Sequence, residues 1–126
     1  METILLDGQN AQDIRRAGEI LQKGGLVAIP TETVYGLAGN ALCGETVKKI
    51  YQAKGRPSDN PLIVHINKTE QLASLVQEVP ESARKLAEAF WPGPLTLILP
   101  RSKTVADSVC AGLDTASVRM PSHPVA

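Results

Sequence analysis

The sequence predicts an α/β fold built on an open, mixed sheet. Three observations point there. Short β-branched runs at 26–29, 62–66, 95–99 and 116–120 alternate with segments whose apolar residues recur at helical spacing. Glycine and proline, 10 and 9 in number, punctuate the chain between them. Aromatics make up only 3% against 43% apolar residues, so the core must be built from Val, Ile, Leu and Ala.

Residues 4–6 are expected as a short first strand. Asn10 is placed to cap a helix reaching about Lys23, with Ile14, Ala17, Ile20 and Leu21 on one face. Gly24-Gly25 ends it. Residues 26–29 form a buried strand stopped by Pro30, followed by a polar turn and a small-residue, Gly-rich stretch over 36–41. Residues 45–53 read as a helix with Val47, Ile50 and Tyr51 inward, and 54–61 as a loop. The strand at 62–66 comes next, then a short helix to about Val76 capped by Thr69. A helix over 80–90 opens Pro-Glu-Ser. Pro92-Gly93-Pro94 breaks the chain before the strands at 95–99 and 116–120. In open α/β sheets, loops that follow strands are where ligands sit.

Composition narrows the function. The 126 residues suit one core, and formal net charge is zero, so any site for a polyanion must be local. Cys43 and Cys110 lie far apart and form neither a CxxC pair nor a disulfide framework, which suits a reduced cytoplasmic protein. The start Met1-Glu2-Thr3 lacks the basic, then apolar, character of a signal peptide. No run approaches the roughly 18 apolar residues of a membrane helix. GxxxxGK and GxGxxG are absent, and two histidines with two distant cysteines make no zinc pattern.

Five stretches stand out, four of them for candidate chemistry. Pro30-Thr31-Glu32-Thr33-Val34-Tyr35-Gly36-Leu37 leaves a strand with two hydroxyls, a carboxylate and a phenol; its plain reading is a turn whose hydroxyls bond their own backbone. In Lys54-Gly55-Arg56-Pro57-Ser58-Asp59-Asn60, an extended backbone would put Lys54, Arg56, Ser58 and Asn60 on one side. That row suits a phosphate chain, with Arg as a fork and Lys as a point charge. The plain alternative is a solvated loop after a basic helix end. His65 stands in a strand and is either a satisfied strand group or a ligand contact. Trp91-Pro92-Gly93-Pro94-Leu95-Thr96 reads as structural, the sole tryptophan sealing one end of the core. Thr115, Ser117 and Arg119 alternate onto one strand face, exposed on the plain reading.

Together these segments, in this order and spacing, resemble the Sua5/YrdC family, whose hallmark is the KxRxSxN pattern carried here by Lys54, Arg56, Ser58 and Asn60. The resemblance spans nearly the whole chain. It implies a twisted, open mixed sheet with helices around a large, positively lined cavity. It implies an L-threonylcarbamoyl-AMP synthase, a nucleotidyltransferase making that product from L-threonine, bicarbonate and ATP for t6A modification of tRNA. Arg56, Asn60 and Thr115 would contact ATP, with Ser58 and Lys54 lining the same cavity. Lys54 and Arg56 would carry the catalytic charge. Thr33, His65 and Arg119 would hold threonine, with Thr31 nearby. Mg²⁺ would arrive on the phosphates rather than in a protein cage. A tRNA-modifying transferase would be the partner. Family domains run on past the position of Pro121, so residues 1–126 are expected to be a YrdC-like domain incomplete at its C-terminus, with weak or no synthase activity of its own. Two alternatives stand beside this: a module binding double-stranded RNA or tRNA, disfavoured by zero net charge and few aromatics, and a related carbamoyl-transfer domain.

Overall fold

The computed structural model describes residues 2–55 and 61–126. The elements follow the sequence closely. Helix α1, Ala11–Gln22, starts where the Asn10 carboxamide oxygen accepts the N–H of Gln12 at 2.9 Å and of Asp13 at 3.2 Å. It ends as Gly24 takes a φ of 86°. Strand β1, Val27–Ile29, pairs antiparallel with β2, Gly36–Ala38, Ile29 opposite Gly36. The small-residue stretch therefore holds a strand that composition alone concealed. Helix α2, Gly44–Lys54, buries Thr46, Val47, Ile50 and Tyr51, the spacing of a single helix face. It closes on Gly55 at φ 61°.

Strand β3, Ile63–His65, precedes a 3-10 turn, Thr69–Gln71, and helix α3, Leu72–Leu75. Thr69 is not the cap expected of it. Lys68 occupies that position, and the Gln71 side chain accepts the N–H of Asn67 at 2.9 Å and of Lys68 at 3.2 Å. Helix α4, Glu81–Phe90, follows Pro80. Strands β4, Thr96–Pro100, and β5, Thr115–Arg119, complete a three-stranded sheet in the order β3-β5-β4. β3 runs parallel to β5 and β4 antiparallel, so the sheet is mixed, as expected. The β1–β2 hairpin stands as its own two-stranded sheet. Residues 4–6 form no strand and Ile4 and Leu5 are exposed; among the described residues no strand lies alongside them to pair with.

One face of the three-stranded sheet is closed. Val64, Leu97 and Val118 point into a core shared with Val47 and Tyr51 of α2, Leu72 and Leu75 of α3, and Ala83 and Ala87 of α4. Trp91 seals it, buried, with its indole N–H donated to the Leu95 carbonyl at 2.8 Å. The pleat sends the alternate residues to the opposite face: Ile63 and His65, Thr115, Ser117 and Arg119, Thr96 and Ile98. None of these is buried. No helix of the described residues is long and apolar enough to cross a membrane.

Candidate functional site

The open face of the sheet carries two rows across its strands. The pairing sets Ile63, Ser117 and Ile98 side by side, and next to them His65, Arg119 and Thr96. The second row is polar throughout. Arg119 closes β5, directly opposite His65 on one neighbour and Thr96 on the other. Its guanidinium donates to the Thr96 hydroxyl oxygen from Nε at 3.0 Å and from Nη2 at 2.7 Å. His65 places Nδ1 3.1 Å from the Ile63 carbonyl oxygen. Desolvation of its ring holds the pKa below the ordinary value; the Ile63 carbonyl opposes this, Arg119 adds to it, and Glu32 opposes it. The shift favours the neutral imidazole.

A cavity of about 270 Å³ opens beside the row, with Thr31 and His65 as polar groups among walls such as Ile29, Leu37, Ile63 and Val64. Thr31 reaches it from the β1–β2 connection. That connection folds on its own hydroxyl: Thr31 Oγ1 donates to the Val34 carbonyl at 2.6 Å and accepts the N–H of Thr33 at 3.3 Å and of Val34 at 3.2 Å. Thr33 Oγ1 lies 3.1 Å from Thr31 Oγ1. The local turn expected on the plain reading is thus present, and it also brings Thr31 to a cavity wall.

Glu32 fastens this connection to the segment after β5. One carboxylate oxygen accepts the N–H of Ser122, the Ser122 hydroxyl at 2.9 Å and the His123 N–H at 3.2 Å. Its other oxygen is buried without a partner among the described residues. Desolvation pushes the Glu32 carboxyl up, but the hydrogen bonds from Ser122 and His123 outweigh it and hold its pKa below the usual carboxylate value.

The structure therefore joins some of the residues singled out by sequence and separates others. His65 and Arg119 are neighbours, and Thr31 shares a cavity wall with His65. Thr115 lies on the same face at the other end of β5, roughly 13 Å from Arg119 at about 3.3 Å per residue. Lys54 ends α2, exposed. Arg56, Ser58 and Asn60 lie outside the described residues, and with them the phosphate row and most of the positive lining expected of the cavity. Among the described residues no group of three or more His, Cys, Asp or Glu could hold a metal ion. Sequence reasoning met Glu32 only as the carboxylate of its segment and Thr96 only inside a structural turn, and gave neither a role. Glu32 is the one carboxylate of its segment, which is a usable signal; Thr96 has none, because its role depends on strand register.

Comparison with known proteins agrees with this fold. The model of the Sua5/YciO/YrdC family, described as telomere recombination, matches residues 19–126. The chain is 58% identical over 113 residues to the threonylcarbamoyl-AMP synthase of Pyrococcus abyssi, covering 90% of this chain and 33% of that protein. It is 53% identical over 118 residues to the Bacillus subtilis threonylcarbamoyl-AMP synthase, covering 93% and 34%. The crystal structure of P. abyssi Sua5 complexed with L-threonine superposes with a TM-score of 0.90 at 55% identity, over 92% of this chain and 34% of that one. The chain thus spans about a third of the length of these relatives.

Proposed function

The chain belongs to the Sua5/YciO/YrdC family, and from that premise we propose that it serves the synthesis of L-threonylcarbamoyl-AMP from L-threonine, bicarbonate and ATP. The observation that carries this is the register that sets Arg119 opposite His65 on parallel strands, with His65 and Thr31 lining one cavity. Arg119 is suited to the threonine carboxylate as a fork. His65 is suited to accept a hydrogen bond from the hydroxyl or the amine through a ring nitrogen. Thr31 and Thr33 complete the amino-acid end. A relative of this fold takes L-threonine, as the P. abyssi complex states.

The chemistry explains the charge. The threonine amine adds to bicarbonate to give a carbamate, with loss of water. A carbamate oxygen then attacks the α-phosphorus of ATP, and pyrophosphate leaves. The threonine carboxylate, the carbamate and the triphosphate are all anionic, so bringing them together demands cations more than acids or bases. Lys54 and Arg56 are assigned to that neutralisation. Arg56, Ser58, Asn60 and Thr115 are assigned to ATP. Magnesium is assigned to the phosphates it arrives with, since it keeps much of its water and binds few protein oxygens. The product, a mixed anhydride, is an activated donor for a transferase that modifies adenosine in tRNA. Free Cys43 and Cys110 suit the reduced cytoplasm where that occurs.

Pyrophosphate release from ATP tests the proposal. It should require L-threonine and bicarbonate together. Release indifferent to threonine would instead favour a carbamoyl-transfer reaction on other substrates.

A further inference from the structure

The segment Trp91 to Thr96 looks structural in the sequence, and Trp91 does seal the core. Thr96 does something else. It is the first residue of β4, half-buried, and it leans onto the open face opposite Arg119. Its hydroxyl oxygen accepts from both Nε and Nη2 of that guanidinium.

We propose that Thr96 is a positioning residue for Arg119, turning the guanidinium so that its Nη1–Nη2 end faces the amino acid's carboxylate. This rests on the reading of Arg119 given above. A guanidinium is a rigid plane with two edges able to bind a carboxylate bidentately: the Nε–Nη2 side and the Nη1–Nη2 end. Thr96 occupies the side edge. Among the described residues nothing engages Nη1. One edge is therefore tied to the sheet and the other left for a ligand. A long arginine loses rotamer freedom when it grips an anion, and tethering it beforehand removes part of that cost. Thr96 can do this because β4 and β5 are paired in fixed register, so the hydroxyl cannot drift from the fork. Its β-branched shape also suits the strand, which separates the hydroxyl's role from its shape.

Thr96→Val keeps that shape and deletes the acceptor; Thr96→Ser keeps the acceptor. In ¹⁵N-arginine-labelled chain, the Arg119 Nε–H should exchange with water severalfold faster in Thr96→Val and at the original rate in Thr96→Ser. L-threonine affinity, read by calorimetry, should fall about tenfold in Thr96→Val, the scale of one hydrogen bond to a charged group, and recover in Thr96→Ser. In an Arg119→Lys background, which has no fork to orient, Thr96→Val should cost nothing further. Unchanged Nε–H exchange in Thr96→Val overturns the proposal. So does wild-type threonine affinity in Thr96→Val when Arg119→Lys is weakened, and that result leaves the proposed function standing. If Arg119→Lys binds threonine as tightly as the wild type, or the wild type takes up none, the reading of Arg119 fails and takes the positioning role with it.

Discussion

Ahead of Thr46 no described residue is buried, whereas from Thr46 to Val118 buried side chains recur through every helix and strand. Helix α1 and the β1–β2 hairpin have an apolar face, but Ala17, Ile20 and Leu21 are only half-buried and Ile14 is 39% exposed. A second cavity, about 290 Å³, lies between α1 and the hairpin, lined by Ile14, Ala17, Ile29 and Tyr35. The later region has instead closed its sheet against α2, α3 and α4. The candidate site lies where the two meet. Thr31 and Glu32 come from the open region, His65 and Arg119 from the closed one. Arg119 and His65 are thus held by strands of the closed region, whereas Thr31 and Thr33 sit on a connection with no buried residue, where local opening is expected to cost less.

The largest difference between the regions is expected in the core. Leu72 is 2% exposed, and Leu72→Ala should cost about 2–5 kcal/mol in denaturant unfolding. Leu21→Ala, on the half-buried face of α1, should cost no more than half as much. Equal costs would erase the distinction between the regions. A smaller effect is expected at the α1 cap. Asn10→Ala should cost about 1 kcal/mol, and hydrogen exchange should show the loss in α1 while the β5 amides keep their protection. Uniform deprotection would mean that the two regions open as one.

Glu32 joins the two regions through a pH-dependent contact. Its folded pKa is lowered, so its hydrogen bonds to Ser122 and His123 stabilise the fold above the unfolded carboxyl value. That contribution is lost as pH falls through the lowered folded value. Glu32→Gln should remove this acid dependence and raise exchange at Ser122 and His123 at neutral pH, with little change in the core. The expected shift is the smallest of the three, since the contact is near the surface. An unchanged acid limb in Glu32→Gln would show that the clasp contributes nothing.

Much of this was legible in the sequence, and the physical reason differs by element. Asn10, the Gly24-Gly25 stop and the Val47, Ile50, Tyr51 spacing act within one or two turns of chain, so α1 and α2 could be read locally. Alternation in β5 predicted that Thr115, Ser117 and Arg119 share a face, and they do. What failed or stayed hidden depends on partners distant in sequence. Residues 4–6 look like a strand but pair with none among the described residues; Gly36–Ala38 reads only as a small-residue stretch but pairs with β1. The Thr96–Arg119 contact needs the β4–β5 register, and the Glu32–Ser122 contact spans 90 residues. Neither has a local pattern to announce it.

The central claim is that one amino-acid site is assembled from both regions. A titration of the ¹⁵N-labelled chain with L-threonine tests it most directly. The account predicts that amides of Thr31 and Thr33 in the open region and of His65 and Arg119 in the closed one shift together, along curves that fit a single dissociation constant. Shifts confined to one region, or two different constants, would contradict it.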